Sequence, residues 1–383
     1  MDLSRHIAEP VLLERVELLQ IRPREILIVG HSRDGVQAIV PANARLGDDL
    51  SMFTQRVLPF FLARDQRDIE LTIAACHRAH YKLAGLSFWN AVGHLDMLAL
   101  EMLGQVAQRS VAELLGGRRR DDVSVYLSSR ERSTTPEQEI DEFMLPRLAS
   151  SGAVACKLGI GGRMSRNEDA APGRSEALVT RARRVLGDDI DICVDANGSY
   201  DGPAAVEVGR MLERHGVWFF EEPCPFEEFD LALAVSQRLA VKVAGGEQDH
   251  SAAKWRWMIE NRAVDIVQPD LFYAGGFLRS LRVARLAEQH GLEVIPHAPR
   301  AHAATATLLQ FVALLERPGR HHEFSARAIT ASAAYDYEPQ LRVAGGRIPI
   351  PGGAGFGIHY DLADLRRRST PIPVESRTRQ DDE

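Results

Sequence analysis

Six short apolar runs in the C-terminal half of the chain each end in a polar or ionisable residue. They are IDICVDAN at Asp195, GVWFFEEP at Glu221, AVKVAGGE at Glu247, AVDIVQPD at Asp270, GLEVIPHA at His297 and RHHEF at Glu323. The steps between these residues are 26, 26, 23, 27 and 26 positions. A strand of about 5 to 6 residues, a helix of about 11 to 12 and two loops of about 4 occupy roughly 25 residues, so the spacing predicts a train of β/α units. In a closed β/α barrel the C-terminal strand ends meet at one mouth, where the active site of this architecture lies. Upstream, VSVYLSS from Val123 and VACKLGI ending at Ile160 read as the first two barrel strands, the second carrying Lys157. The polar stretch GGRMSRNEDAAPGR that follows is long for a βα loop and is expected to border the mouth. Helices such as AAVEVGRMLERHG and LRSLRVARLAEQHG end at glycines suited to a C-cap.

Before Val123 the order changes. Alternating apolar residues from Val16 to Val40, broken by the turn Ser32-Arg33-Asp34-Gly35, predict antiparallel strands. From about Leu50 to Leu115 apolar residues recur at helical spacing, through AVGHLDMLALEML to a stop at Gly116-Gly117. Strands followed by helices describe an α+β domain at residues 1–122, separate from the barrel at 123–335. Residues 336–367, including RIPIPGGAGFGIHY, are expected to return to the first domain, and 368–383, rich in Arg, Asp and Ser, to form a disordered tail.

A chain of 383 residues accommodates both units, and 45% hydrophobic with 26% charged residues is an ordinary globular composition. The formal net charge of -7 offers no basic field for nucleic acid. No apolar run approaches the roughly 20 residues that span a bilayer, and the N-terminus lacks a signal peptide's apolar region. Cys76, Cys156, Cys193 and Cys224 have no C-x-x-C spacing and read as reduced core thiols. A cytoplasmic enzyme without membrane or nucleic-acid partners is expected, with a homo-oligomer as the default assembly.

Three carboxylates on neighbouring strand ends, Asp195, Glu221 and Glu247, would repel one another by roughly 4 kcal/mol per pair at 4 Å and an effective dielectric near 20. A cation between them removes that penalty, and an all-oxygen set suits Mg²⁺ better than zinc. Asp270 and His297 end adjacent strands. A carboxylate on one imidazole nitrogen fixes the tautomer and raises the basicity of the other, as a general base requires. Lys157, across the mouth, would supply positive charge to a substrate anion. Glu323 would donate a proton to an oxyanion if its pKa were raised. The neighbouring His321 and His322 offer a weaker metal-site reading.

DAN at Asp195 to Asn197, EEP at Glu221 to Pro223, GGE at Gly245 to Glu247, QPD at Gln268 to Asp270 and the IPH strand resemble, in this order, the mandelate racemase branch of the enolase superfamily. SRDGV, LDMLALEMLG and AELLGG are similar to that family's capping-domain motifs. The resemblance implies an α/β fold, a (β/α)7β barrel whose N-terminal α+β cap is completed by the C-terminal segment. It also implies Mg²⁺ at Asp195, Glu221 and Glu247, a His297/Asp270 base dyad, Glu323 facing the substrate carboxylate as electrophile, and Asn197 beside the substrate. Two departures stand out. The family's Lys-x-Lys is Lys157-Leu158-Gly159 here, which removes the base on the second face; and its Leu-Trp-Asp is Ala99-Leu100-Glu101, expected to be a packing change only.

These readings converge on Mg²⁺-dependent removal of the proton α to a carboxylate, with dehydration of a sugar acid as the expected outcome. A racemase, epimerase or cycloisomerase is the alternative within the class. A catalytically silent carboxylate-binding or structural descendant is the alternative outside it.

Overall fold

The computed structural model describes residues 3–164 and 166–374. Strands β1 (Leu13–Arg22), β2 (Glu25–Ser32) and β3 (Gln37–Pro41) form an antiparallel sheet, as their alternation predicts. The helix Leu86–Ala107 lies against it, with Leu98 closely approached by Gly30 of β2.

The barrel strands are β4 (Asp122–Ser128), β5 (Ala155–Gly159), β6 (Asp191–Asp195), β7 (Phe219–Glu221), β8 (Lys242–Gly245), β9 (Ile266–Val267), β10 (Glu293–Val294) and β11 (His322–Ser325). They are parallel, in the order β10-β9-β8-β7-β6-β5-β4-β11. The two ends of this row meet where Val294 N donates to Arg317 O and Gly319 N donates to Val294 O. Helices connect every consecutive pair, giving the (β/α)7β arrangement. Gly216 and Gly291, at the ends of the two helices singled out above, have φ of 60° and 75°, the left-handed conformation that a C-terminal cap requires.

The C-terminal segment departs from expectation in two places. β12 (Arg347–Pro349) pairs antiparallel with Val123 at the start of β4, so this part of 336–367 joins the barrel wall rather than the first sheet. The expected tail does not trail away at 368: a helix, Leu362–Arg368, leads into β13 (Thr370–Ile372), which pairs with Leu18, Leu19 and Gln20 of β1. Three residues are enough because the edge of β1 supplies their backbone partners. The rest of that expectation, 375–383, lies outside the described residues.

Two buried carboxylates of one helix fasten the cap, one to a barrel helix and one to the C-terminal segment. Asp96 Oδ2 accepts from Phe277 N (2.5 Å) and Leu278 N (3.3 Å), capping the helix Phe277–Gln289. Gly276 is required there, since a Cβ at its φ of 111° would meet the Asp96 carboxyl at 2.5 Å. Glu101 Oε2 accepts from Phe356 N at 2.6 Å, and its Oε1 from Gln105 Nε2 at 2.8 Å. Glu101 is thus a polar latch onto the C-terminal segment, not the simple packing change expected of it.

Candidate active site

Seven successive barrel strands and their extensions contribute Tyr126, Ala155, Cys193, Phe219, Ala244, Ile266 and Ile295 to one buried cluster. Side chains along a strand alternate faces, so the residue two positions further on shares that direction. Those residues are Ser128, Lys157, Asp195, Glu221, Gln268 and His297, a polar layer over an apolar floor. The register sets Ser128 beside Lys157 and Asp195 beside Glu221, and it steps up by two residues between β5 and β6, where Lys157 pairs with Cys193 and Gly159 with Asp195. At β8 the alternation breaks at Gly246, whose φ of 110° re-aims the chain and makes Glu247 the contributor. A Cβ at Gly246 would lie 2.1 Å from the Trp255 ring.

Lys157 Nζ donates to both oxygens of Glu221, at 2.8 and 2.7 Å, and lies 3.3 Å from Glu323 Oε1 and 3.9 Å from Asp195 Oδ2. Gln268 Nε2 donates to Glu221 Oε2 at 2.9 Å. His297 Nε2 is 3.1 Å from Glu247 Oε2, and its Nδ1 is 2.9 Å from Asp270 Oδ2. Asp270 and His297 are paired as a parallel bridge, which explains their side-by-side approach. Asp270 Oδ1 also accepts from Phe272 N and Tyr273 N, and Oδ2 lies 3.3 Å from Arg300 Nη2. Glu323 Oε2 accepts from Ala298 N at 2.9 Å. Asp195 accepts from Asn197 N and Asn197 Nδ2, and Asn197 Oδ1 accepts from Arg132 Nη2 at 2.9 Å.

Lys157 is 1% exposed, Asp195 3%, Glu221 0% and Glu247 5%, so these charges act on one another with little water between them. Burial pushes the Glu221 and Glu247 carboxyls up; Lys157 opposes this at Glu221 and His297 at Glu247 without cancelling it. Burial alone would depress the His297 imidazole, but Glu247, Asp270 and Glu323 outweigh it and carry the ring up to about 9. Asp270 is held down at about 2, its burial overcome by Arg300 and His297. Glu323 falls to about 2 because Lys157 and His297 overcome its burial. The raised pKa that proton donation by Glu323 would need is therefore absent, and the group stands here as a carboxylate.

The structure brings Lys157, Asp195, Glu221 and Glu323 together around one ammonium, and joins Glu247 to the His297/Asp270 pair. Asn197 stands beside Asp195. His321 sits lower on the wall, bonded to Ser124 and 3.3 Å from Asp191, while alternation sends His322 to the other face; the two do not form a metal pair. Among the described residues, no three His, Cys, Asp or Glu side chains are already closed around one point as a metal shell. The groups drawn into the carboxylates are Lys157 and His297 instead. A divalent cation nevertheless suits the donor set. Glu222, adjacent to Glu221, is 4% exposed and both its oxygens are buried without a hydrogen-bond partner. Burial, Asp195 and Glu221 all push its carboxyl up.

Five contributors escaped the sequence reading: Ser128, Arg132, Gln268, Arg300 and the orphaned Glu222. Gln268 was within reach, since it stands two residues before Asp270 on the inward side of the same strand. Arg132 and Arg300 follow their strands in loops, where no period marks them.

The alternating floor, the polar layer and the eight-stranded closure define a β/α barrel with an acid-lined mouth. Residues 140–365 match the family described as Enolase C-terminal domain-like. The chain belongs to that family, within the mandelate racemase and muconate lactonizing enzyme-like branch of the enolase superfamily. It is 27% identical over 320 residues to an arabinonate dehydratase of Saccharolobus solfataricus, covering 83% of this chain and 82% of the relative. It is 29% identical over 324 residues to a D-galactarolactone cycloisomerase of Agrobacterium fabrum, covering 82% and 83%. In fold it matches a mandelate racemase/muconate lactonizing protein from Paracoccus denitrificans, solved with magnesium, at a TM-score of 0.86 and 23% identity over 95% of this chain and 100% of that one.

Proposed function

We propose that this protein is a Mg²⁺-dependent dehydratase of acid sugars. Asp195, Glu221 and Glu247 would hold the ion, and when bound it supplies positive charge to the substrate carboxylate. The observation that carries the reading is the His297/Asp270 pair standing next to Glu247, with the Lys157 cluster completing the same polar layer.

His297, in its neutral form and with Nε2 released from Glu247, removes the α-proton through that nitrogen while Asp270 keeps Nδ1. The electron pair of the broken C–H bond moves into the carboxylate, giving an enediolate. Positive charge from Lys157 and the hydrogen-bonding edge of Asn197 stabilise the oxyanion. Asp270, fixed by two backbone N–H groups, keeps the imidazole in one orientation. In the second half the electrons return to form the C–C double bond as the β C–O bond breaks. His297 gives its proton to the departing hydroxide on the same face, which leaves as water, and the enol product tautomerises to a 2-keto-3-deoxy acid. One base suffices for this sequence.

A racemase needs a base on each face. Gly159 provides none, and the guanidinium of Arg132 lies 3.1 Å from where a Cβ at 159 would stand, which supports dehydration over racemisation. The relative that acts as a cycloisomerase keeps that outcome as the second reading, because it too begins with removal of an α-proton. No helix among the described residues is long and apolar enough to cross a membrane, and the four buried free cysteines suit a reducing compartment such as the cytoplasm.

Incubation with Mg²⁺ and a panel of acid sugars in deuterated water tests the reading. Keto-acid formation, absent in His297→Asn, is the expected result. Inertness across the panel, with neither keto acid nor α-deuterium, would overturn it in favour of a carboxylate-binding descendant without catalysis.

A further inference from the structure

A cavity of about 490 Å³ opens above the polar layer on the side of β4 and β11. Its deep end is formed by Ser128 and Ser325, which pair in register, and Ser128 also hydrogen-bonds Glu323. It therefore continues directly from Lys157 and Glu323. Its rim carries Arg130, Arg132, Arg163 and Arg327 against a single acid, Glu131.

These four guanidiniums are unequally occupied. Arg327 pairs with Glu131. Arg132 is anchored to main-chain oxygens of Arg130, Ile160, Gly161 and Asp195 and to Asn197 Oδ1, so it is fixed in place without a carboxylate partner and adds charge to the cavity. Arg130 and Arg163 are exposed and form no ion pair among the described residues. Four like charges around one cavity with one counter-charge raise its potential and attract anions. The reacting carboxylate of the substrate does not use them, because its partners lie below, at the metal ligands and Lys157. A guanidinium is suited to grip carboxylate or phosphate through two parallel hydrogen bonds.

We propose that this arginine-lined cavity binds a second anionic group at the far end of the acid sugar, a carboxylate or a phosphate remote from the carbon that loses its proton. The inference rests on the acid-sugar reading above and narrows it to substrates charged at both ends. Arg132, whose donors are largely spent on the protein, holds Asn197 and lends its charge, while Arg130 and Arg163 supply the free guanidiniums that grip the distal group at the rim.

D-gluconate, D-glucarate and 6-phospho-D-gluconate share one configuration and differ only at C6. Their binding to the Mg²⁺-loaded protein, followed by calorimetry alongside the corresponding galacto series, separates the outcomes without relying on turnover. The members charged at both ends should bind at least about tenfold more tightly than the aldonate in the series that fits, and whichever of glucarate and the phosphate leads identifies the distal group. The Arg130→Gln/Arg163→Gln variant, which breaks no ion pair, should lose that preference and keep its affinity for the aldonate. Equal binding of all three, or a preference unchanged in the double variant, overturns the distal site alone. Failure of every acid in both series to bind overturns this inference and the acid-sugar reading together.

Discussion

Lys157 and Glu221 form a two-point ion pair, Nζ to Oε1 at 2.8 Å and to Oε2 at 2.7 Å, inside a site where neither residue is more than 1% exposed. Burial disfavours the ammonium, but Glu221 and Glu323 outweigh it and raise the Lys157 pKa well above its ordinary value. The lysine therefore both neutralises the acid cluster and remains charged for a substrate anion.

Lys157→Ala separates these two roles. Removing one partner from a buried pair costs about 3 to 5 kcal/mol, so metal-free protein should melt well below wild type, and Mg²⁺ should restore most of the loss. Turnover should fall about 100-fold or more while metal affinity changes less than about tenfold. Thermal melts with and without Mg²⁺, beside steady-state rates, check both; unchanged turnover would remove Lys157 from the chemistry.

His297 is expected to carry proton removal through its bond to Asp270. His297→Asn should reduce α-proton exchange by about 10² to 10⁴, the contribution of a general base. Asp270→Asn should reduce it too, by releasing the imidazole from its orientation. Exchange followed by NMR in deuterated water is the measurement, and retention of exchange in His297→Asn would exclude the residue as the base.

Glu101 provides a pH test away from the site. Burial raises its carboxyl from 4.5 to about 7, against the opposing bonds from Phe356 N and Gln105. The folded state then binds a proton more tightly than the unfolded chain. Its contribution to stability is complete below 4.5 and lost as pH rises through about 7, on the order of 3 kcal/mol between those limits. Wild type should lose more melting temperature than Glu101→Gln between pH 5 and 8. Parallel losses would show that Glu101 does not titrate in this way.

Restoring a lysine on the second face should not create a racemase. A Cβ at Gly159 already meets Arg132 Nη1 at 3.1 Å and the Arg130 carbonyl carbon at 3.3 Å, so a longer side chain must displace the guanidinium that holds Asn197. Gly159→Lys is expected to lower dehydration without interconverting epimers, assayed by chiral analysis of recovered substrate. Appearance of both epimers would refute this account of the departure.

What the sequence made legible follows from period. Asp195, Glu221, Asp270 and His297 were readable because each closes a strand of regular spacing, and the inward alternation that places them also places Lys157. Glu247 needed the glycine before it to turn the chain, a detail the spacing alone does not convey. Period says nothing about contacts between distant segments. Asp96 on the Phe277 helix, Glu101 on Phe356 and Arg132 on Asn197 each join residues far apart in sequence, and none could be read from its neighbours. The last strand was hidden for a related reason: Thr370–Ile372 is three residues long with Pro371 at its centre, and is a strand only because β1 offers it an edge.

The whole account depends on acids from three adjacent strand ends sharing one divalent ion. Titration of the metal-free protein with Mn²⁺, read by electron paramagnetic resonance and repeated with Mg²⁺ as competitor, tests this most directly. One ion per chain, displaced by Mg²⁺ and weakened at least about tenfold in each of Asp195→Asn, Glu221→Gln and Glu247→Gln, is the predicted result. No bound ion, or binding indifferent to all three substitutions, would contradict it.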